Sequence, residues 1–115
     1  MKKWFFFLAL LPLAMLARAE TGNAHTHISP PTPKRQAELV RMVRQDCGSC
    51  HGMTLKGGLG NPLLPEDLRD KPADSLVATI MQGRPGTAMP PWQAIINEAE
   101  AEWIVAQLLA GFPKE

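Results

Sequence analysis

A large net charge, alternating strand patterns, a membrane-length apolar run and any cysteine beyond one pair are all missing from this sequence. Each absence closes off a class of function. Twelve Lys and Arg against eleven Asp and Glu leave too little positive field for a general nucleic-acid binder. No segment alternates apolar and polar residues long enough to make a strand, which removes the βαβ setting of thioredoxin-like proteins. The longest apolar stretch, Trp4 to Leu16, is broken by Pro12 and falls short of the ~20 residues that cross a bilayer. Cys47 and Cys50 are the only cysteines, and the histidines besides His51 are His25 and His27 in a Pro-containing tail. A structural zinc site, which takes four ligands, would have to recruit that tail.

What is present begins with a processing signal. Lys2 and Lys3, the apolar run, and Ala17-Arg18-Ala19 before Glu20 read as a secretory signal peptide over residues 1–19. No stable membrane anchor is expected, and export places the chain in the periplasm. Without Lys2, Lys3 and Arg18 the basic residues fall to nine against eleven acidic ones, a net charge of about −2. Residues 20–32, with Gly22, Asn23, Ser29, Pro30 and Pro31, read as a flexible leader; its His25 and His27 read as solvated rather than as ligands. Residues 33–115 form the one small domain that the remaining length allows.

Cys47-Gly48-Ser49-Cys50-His51 is the pattern for covalent attachment of a c-type haem. Two thiols at i and i+3 on a tightly wound segment can each bond one vinyl arm of the porphyrin, which leaves the next side chain as the proximal ligand to iron. A redox dithiol, a structural disulfide and a zinc site explain the same residues less well. Oxidising compartments would otherwise pair the two thiols.

The helical signals surround this motif. Thr32-Pro33 reads as an N-cap with proline at the first helical position. Leu39, Val40, Val43 and Cys47 then form one apolar stripe of a helix that delivers the cysteines at its end. A second helix is expected from Pro72 to Gln82, with Leu76, Val77, Ile80 and Met81 buried and Gly83 as the stop. A third starts at a capping box of Asn97 and Glu100, buries Ile104, Val105, Leu108 and Leu109, and leaves at Gly111 and Pro113. The fold expected is all-α, with three to four short helices and Gly/Pro-rich loops around one covalent haem, which supplies the core so short a chain lacks. Lys34, Arg35, Arg41 and Arg44 read as a solvated helix face ahead of a docking surface.

Four methionines follow residue 19, and three are poorly placed for the sixth iron position. Met42 precedes the cysteines, Met53 is too near His51 to reach the opposite face, and Met81 belongs to a helix. Met89 lies thirty-eight residues beyond His51 on a loop stiffened by Pro85, Pro90 and Pro91, and is preferred as the axial thioether over an open or histidine-ligated site. Arg84 and Trp92 flank that loop, where hydrogen bonds to a haem propionate weigh equally with a solvent-facing Arg and a packing Trp.

Residues 34 to 112 resemble the class I c-type cytochromes. The runs at 47–60, CGSCHGMTLKGGLG, and 83–92, GRPGTAMPPW, are similar to those of the small monohaem cytochromes encoded beside the cytochrome cd-type nitrite reductase of denitrifying bacteria. The resemblance implies the class I cytochrome c fold, with one covalently bound haem c held by Cys47 and Cys50. His51 and Met89 would be the axial ligands, and the carbonyl of Pro62 the acceptor from the second ring nitrogen of His51. It implies crossing first and last helices, where Val43 meets Ile104 or Leu108. The chain contains no tyrosine, so Trp103 would stand where relatives place an aromatic in the last helix. The function implied is a single-electron carrier, not an enzyme, with redox protein partners and nitrite reductase as acceptor. An accessory role in maturing that enzyme's specialised haem is the alternative; a ligand-binding or peroxidase-like haem protein, which requires Met89 to leave the iron, is the third.

Overall fold

The structure, a computed structural model, describes residues 29–115. The expected signal peptide and most of the leader, with His25 and His27, lie outside the described residues. Thr32 enters the first helix in an extended conformation, and its Oγ1 accepts from the Arg35 N–H at 3.3 Å. Pro33 follows at the first helical position, where no N–H is needed.

From there one helical arm runs to the end of the haem-type motif. Helix α1 spans Pro33–Met42, widens into a π-helical turn at Val43–Cys47, and tightens into α2 at Gly48–His51. Leu39 and Val43 are buried, while Val40 and Cys47 are half-buried, so the expected stripe faces inward across the wide turn. Gly52 ends the arm at φ 88°. A Cβ there would approach the Gly57 carbonyl oxygen to 2.6 Å, so only glycine fits.

The next turn places Leu55 in the left-handed region at φ 60°, yet leaves it 2% exposed. That conformation costs about 1–2 kcal/mol for a residue with a Cβ. Burial of a leucine side chain contributes about 1.5–3 kcal/mol, enough to offset it. Leu55 also donates its N–H to the Gly52 carbonyl and accepts from the Leu63 N–H, both at 2.8 Å, which folds residues 52–63 back onto the core.

Three further helices complete the described residues, which contain no strand. Helix α3, Pro65–Leu68, is too short to have shown a periodicity, but its Leu68 is buried. Helix α4 is Ala73–Gln82, with Pro72 as its cap and Gly83, at φ 67°, as its end. Val77 is buried, and Leu76, Ile80 and Met81 are half-buried against the core. Helix α5, Glu98–Ala110, begins at the expected capping box. Asn97 Oδ1 accepts from the Glu100 N–H, and Glu100 Oε2 accepts from the Asn97 N–H, each at 3.0 Å.

Helix α5 is the centre of the packing. Both α3 and α4 lie against it, and Ala99, Ala101, Ile104, Val105 and Leu108 are all buried, a wider face than one stripe. Val43 shares a buried cluster with Ile104 and Leu108, and Trp103 packs against that cluster.

The basic residues of the first arm depart from the expected solvated face. Lys34 and Arg41 are exposed, but Arg35 is paired with Glu38 and Glu100. Arg44 donates to the Phe112 and Pro113 carbonyls at 3.0 and 2.7 Å, with its guanidinium 5.4 Å from the Phe112 ring centroid. These two arginines fasten the first arm to the two ends of α5.

Candidate functional site

The packing leaves a cavity of about 740 Å³ between the first arm, the loop after it, α3, α4, α5 and the loop that precedes α5. Cys47, Cys50 and His51 line it from the first arm; Pro62 from the following loop; Arg84, Met89 and Trp92 from the loop after α4. Residues more than half the chain apart thus meet at one space whose inner walls include Leu68, Ile80, Ile104 and Leu108.

His51 is held by backbone. Its Nδ1 lies 2.6 Å from the carbonyl oxygen of Asn61, and since a carbonyl only accepts, Nδ1 carries the proton and Nε2 keeps the free lone pair. The acceptor is therefore Asn61 and not the Pro62 carbonyl that the resemblance implied; the chain reaches the ring one residue earlier. Pro62 still contributes, because the residue before a proline is biased to extended conformations, which limits where the Asn61 carbonyl can aim. Gly60 lies against the same ring: a Cβ at that position would lie 2.8 Å from Nδ1. The Gly60 N–H in turn donates to the Cys50 carbonyl at 2.7 Å. The sequence reading, which took Gly60 as one of the glycines that let backbone pass close to a flat ligand, missed Asn61, although Gly-Asn-Pro after a glycine-rich run is the available signal.

The Met89 loop is built as rigidly. Arg84-Pro85-Gly86-Thr87 closes with the Thr87 N–H on the Arg84 carbonyl at 3.0 Å, and Pro85 before Gly86 at φ 78° is the pattern of a type II turn. The Met89 carbonyl accepts from the Arg84 N–H at 3.1 Å, and the Met89 N–H donates to Thr87 Oγ1 at 3.3 Å. Beyond it, the Trp92 N–H returns to the Ile80 carbonyl at 3.0 Å. Gly83 is buried beneath this turn, where a Cβ would come within 2.7 Å of the Met89 carbonyl oxygen. Trp92 is half-buried and packs against the core, while Arg84 is exposed at the cavity wall. The packing reading of Trp92 therefore holds together with its place at the cavity.

The electrostatics speak against thiol redox chemistry. Burial pushes the Cys47 thiol up to about 11, with the neighbouring Asp46 charge adding to it. Such a thiol is neutral at pH 7, whereas dithiol oxidoreductases need a thiolate. The motif also ends a helix rather than beginning one. Among the described residues no group of three or more His, Cys, Asp or Glu converges to hold a metal ion, and no helix is long and apolar enough to cross a membrane.

Comparison with known proteins matches residues 34–108 to the family described as cytochrome c oxidase, cbb3-type, subunit III. A cytochrome c55X of Pseudomonas aeruginosa is 54% identical over 90 residues, which cover 78% of this chain and 73% of that protein. The solved c-type cytochrome NirC superposes with a TM-score of 0.70 at 53% identity, covering 70% of this chain and 95% of NirC. A structure titled dihydro-heme d1 dehydrogenase NirN in complex with DHE gives a TM-score of 0.58 at 36% identity, covering 65% of this chain and 16% of that one. The all-α architecture is accordingly the cytochrome c fold. The chain belongs to the c-type cytochromes, a family whose haem c is bound covalently, and it is similar within that family to cytochrome c55X and NirC.

Proposed function

We propose that this chain is a periplasmic monohaem cytochrome that carries single electrons, with the cytochrome cd-type nitrite reductase of denitrification as its acceptor. Cys47 and Cys50 would form the two thioethers, and His51 and Met89 would hold the iron from opposite sides. Pro62, Arg84 and Trp92 would surround the macrocycle. Bound there, the haem supplies one reversible electron at iron.

The observation that carries this reading is the common cavity: two thiols, an imidazole with its Nδ1 proton already committed, and a thioether on a tethered loop all line it. The donor set and the glycine approach at Gly60 fit a haem. The Asn61 carbonyl fixes the ring orientation and leaves Nε2 as the nitrogen free to bind iron. The turn at Arg84–Thr87 holds the sulfur-bearing residue in place, so little rearranges when charge changes. With both axial positions filled no substrate site remains, which is why the reading is a carrier and not an enzyme. One Cys-x-x-Cys-His motif corresponds to one haem.

The similarity to a dihydro-heme d1 dehydrogenase favours a second reading, an accessory role in maturing the specialised haem of that reductase. Oxidation of the reduced protein by mature reductase in the presence of nitrite separates the two: rapid oxidation supports the carrier, none supports the accessory. The haem assignment is tested by spectra of the periplasmic protein. A weak far-red band of methionine sulfur on ferric iron is expected, and it should vanish in Met89→Ala, whose ferrous form should bind carbon monoxide. Haem without that band in the wild type overturns Met89 as ligand.

A further inference from the structure

Helices α4 and α5 also wall a second cavity, of about 600 Å³, with faces turned from the first. On α4 it takes Asp74, Val77, Ala78 and Met81, where the first takes Leu76, Thr79 and Ile80; Val105 is the one residue that lines both. The second cavity is a groove with an apolar floor of Val77, Met81, Val105 and Leu109, and Asp74, Glu98 and Glu102 stand along it.

No basic side chain lines this groove. From Pro72 to Pro113 the sequence holds one basic residue, Arg84, and that side chain lines the first cavity. Among the described residues the salt bridges join Arg35 to Glu38 and to Glu100, so the three groove carboxylates are exposed with no cation of the chain paired to them. Asp74 and Glu98 lie in first turns, where negative charge complements the helix dipole. Glu102 lies a turn further on, beyond that effect, and stands four residues from Glu98, a like-charge spacing that destabilises a helix. A cation brought to the groove would relieve that repulsion.

The charge is spread and not convergent, since among the described residues no three His, Cys, Asp or Glu come together to hold a metal ion. Several cations carried on one ligand match it better than a single ion. The described residues contain no strand, which removes strand addition as a way to capture a peptide. Val77 and Met81, like Val105 and Leu109, are four residues apart, a spacing whose ridges receive apolar side chains of a third helix at the same interval. From Glu98 to Leu109 the α5 edge of the groove runs for about 16 Å, or about three turns.

From this we infer that the groove between α4 and α5 is a docking site for a cationic amphipathic helix of a partner protein, which seats apolar side chains on Val77, Met81, Val105 and Leu109 and sets Lys or Arg beside Asp74, Glu98 and Glu102. A partner held there leaves the mouth of the first cavity open. The inference stands apart from the carrier reading, because the groove includes none of Cys47, Cys50, His51 and Met89 and its test reads binding and not electron transfer.

The probe is a synthetic amidated helix of about fourteen residues, with Leu at i, i+4, i+7 and i+11 as its apolar stripe, Lys on both flanks and Ala elsewhere. It is titrated into the periplasmic protein under reducing conditions and followed by amide NMR shifts. Shifts should gather on α4 and α5, and affinity should fall at least about threefold between about 0.05 M and 0.3 M salt. The same peptide with Glu in place of Lys should bind at least about tenfold more weakly. Glu98→Gln combined with Glu102→Gln should weaken the Lys peptide at least about fivefold. Ala106→Trp, which fills the groove from an exposed position, should abolish the shifts on α4 and α5, and both variants should keep the circular dichroism of the wild type. Shifts confined to other surfaces, equal binding of the Glu peptide, or full affinity in the double Gln variant overturns the docking site. Self-association of the protein alone in sedimentation, abolished by Ala106→Trp, overturns the partner in favour of a second copy of this chain.

Discussion

Arg35 and Glu100, 65 residues apart, meet with Nε 2.6 Å from Oε1, and the same Glu100 carboxylate closes the capping box of α5 through its other oxygen. A single side chain thus satisfies the first turn of the last helix and locks it to the first turn of α1. Glu100 is 8% exposed, so its charge depends on this pairing.

Removing the arginine should therefore destabilise the fold without touching the cavity. A fully buried pair loses about 3–5 kcal/mol when one partner goes, but the Arg35 side chain is 36% exposed, and solvent screening reduces that figure. Arg35→Ala is expected to cost about 1–2 kcal/mol, read as a lower denaturant midpoint at unchanged slope, with haem spectra like wild type.

The pair also sets a pH dependence. Hydrogen bonds from Arg35 hold the Glu100 carboxyl below its ordinary value, more strongly than burial raises it. A depressed folded value means the stabilisation is complete above the unfolded value of about 4.3 and is lost as pH falls through the folded value. Urea midpoints measured from pH 7 to pH 3 should decline at the acid end, and Glu100→Gln should flatten that decline.

Gly83→Ala should strike the Met89 loop from beneath. The substitution places a Cβ at a left-handed φ of 67° and within 2.7 Å of backbone at Met89, Pro90 and Pro91. Backbone strain of about 1–3 kcal/mol adds to the steric displacement. Thermal melting should occur at lower temperature, and the far-red methionine band should fade well before global unfolding.

The His51 contact separates backbone from side-chain roles. Gly60→Ala pushes a methyl group against the ring, so haem yield should drop or the midpoint potential shift. Asn61→Ala retains the carbonyl that accepts from Nδ1 and should behave as wild type in both measurements. A reversed pattern would show that the Asn61 side chain, not its carbonyl, orients the ring.

Arg84→Gln tests the exposed end of the same cavity. With haem bound, a guanidinium at the wall would stabilise a carboxylate of its edge by a charge-assisted hydrogen bond, and its loss should then shift the midpoint potential measurably while leaving the far-red band in place. An unchanged potential removes Arg84 from the propionate surroundings.

Local sequence patterns gave the elements whose ends are chemically marked. Thr32-Pro33, Asn97 with Glu100, and Gly83 each satisfy or terminate a helix through groups only a few residues apart, so the start of α1 and both ends of α4 and α5 were legible to within a residue. Helix α3 and the wide turn at Val43–Cys47 were not. A four-residue helix is shorter than any periodicity, and a π turn changes the hydrogen-bond ladder without changing the apolar spacing that announces a helix. Leu55 gave no signal either, because its left-handed conformation is tolerated only once its side chain has a core to enter.

What the sequence alone determined was the chemistry of the donors: a Cys-x-x-Cys-His run, a methionine on a proline-stiffened loop, and helices to carry them. Those follow from spacing and residue type along one strand of chain. Tertiary structure decided which carbonyl meets His51, which arginines are spent on α5, and that Cys47, His51 and Met89 line one cavity. Each depends on segments distant in sequence being brought within a few ångströms, a relation set by packing around α5 and by no local pattern.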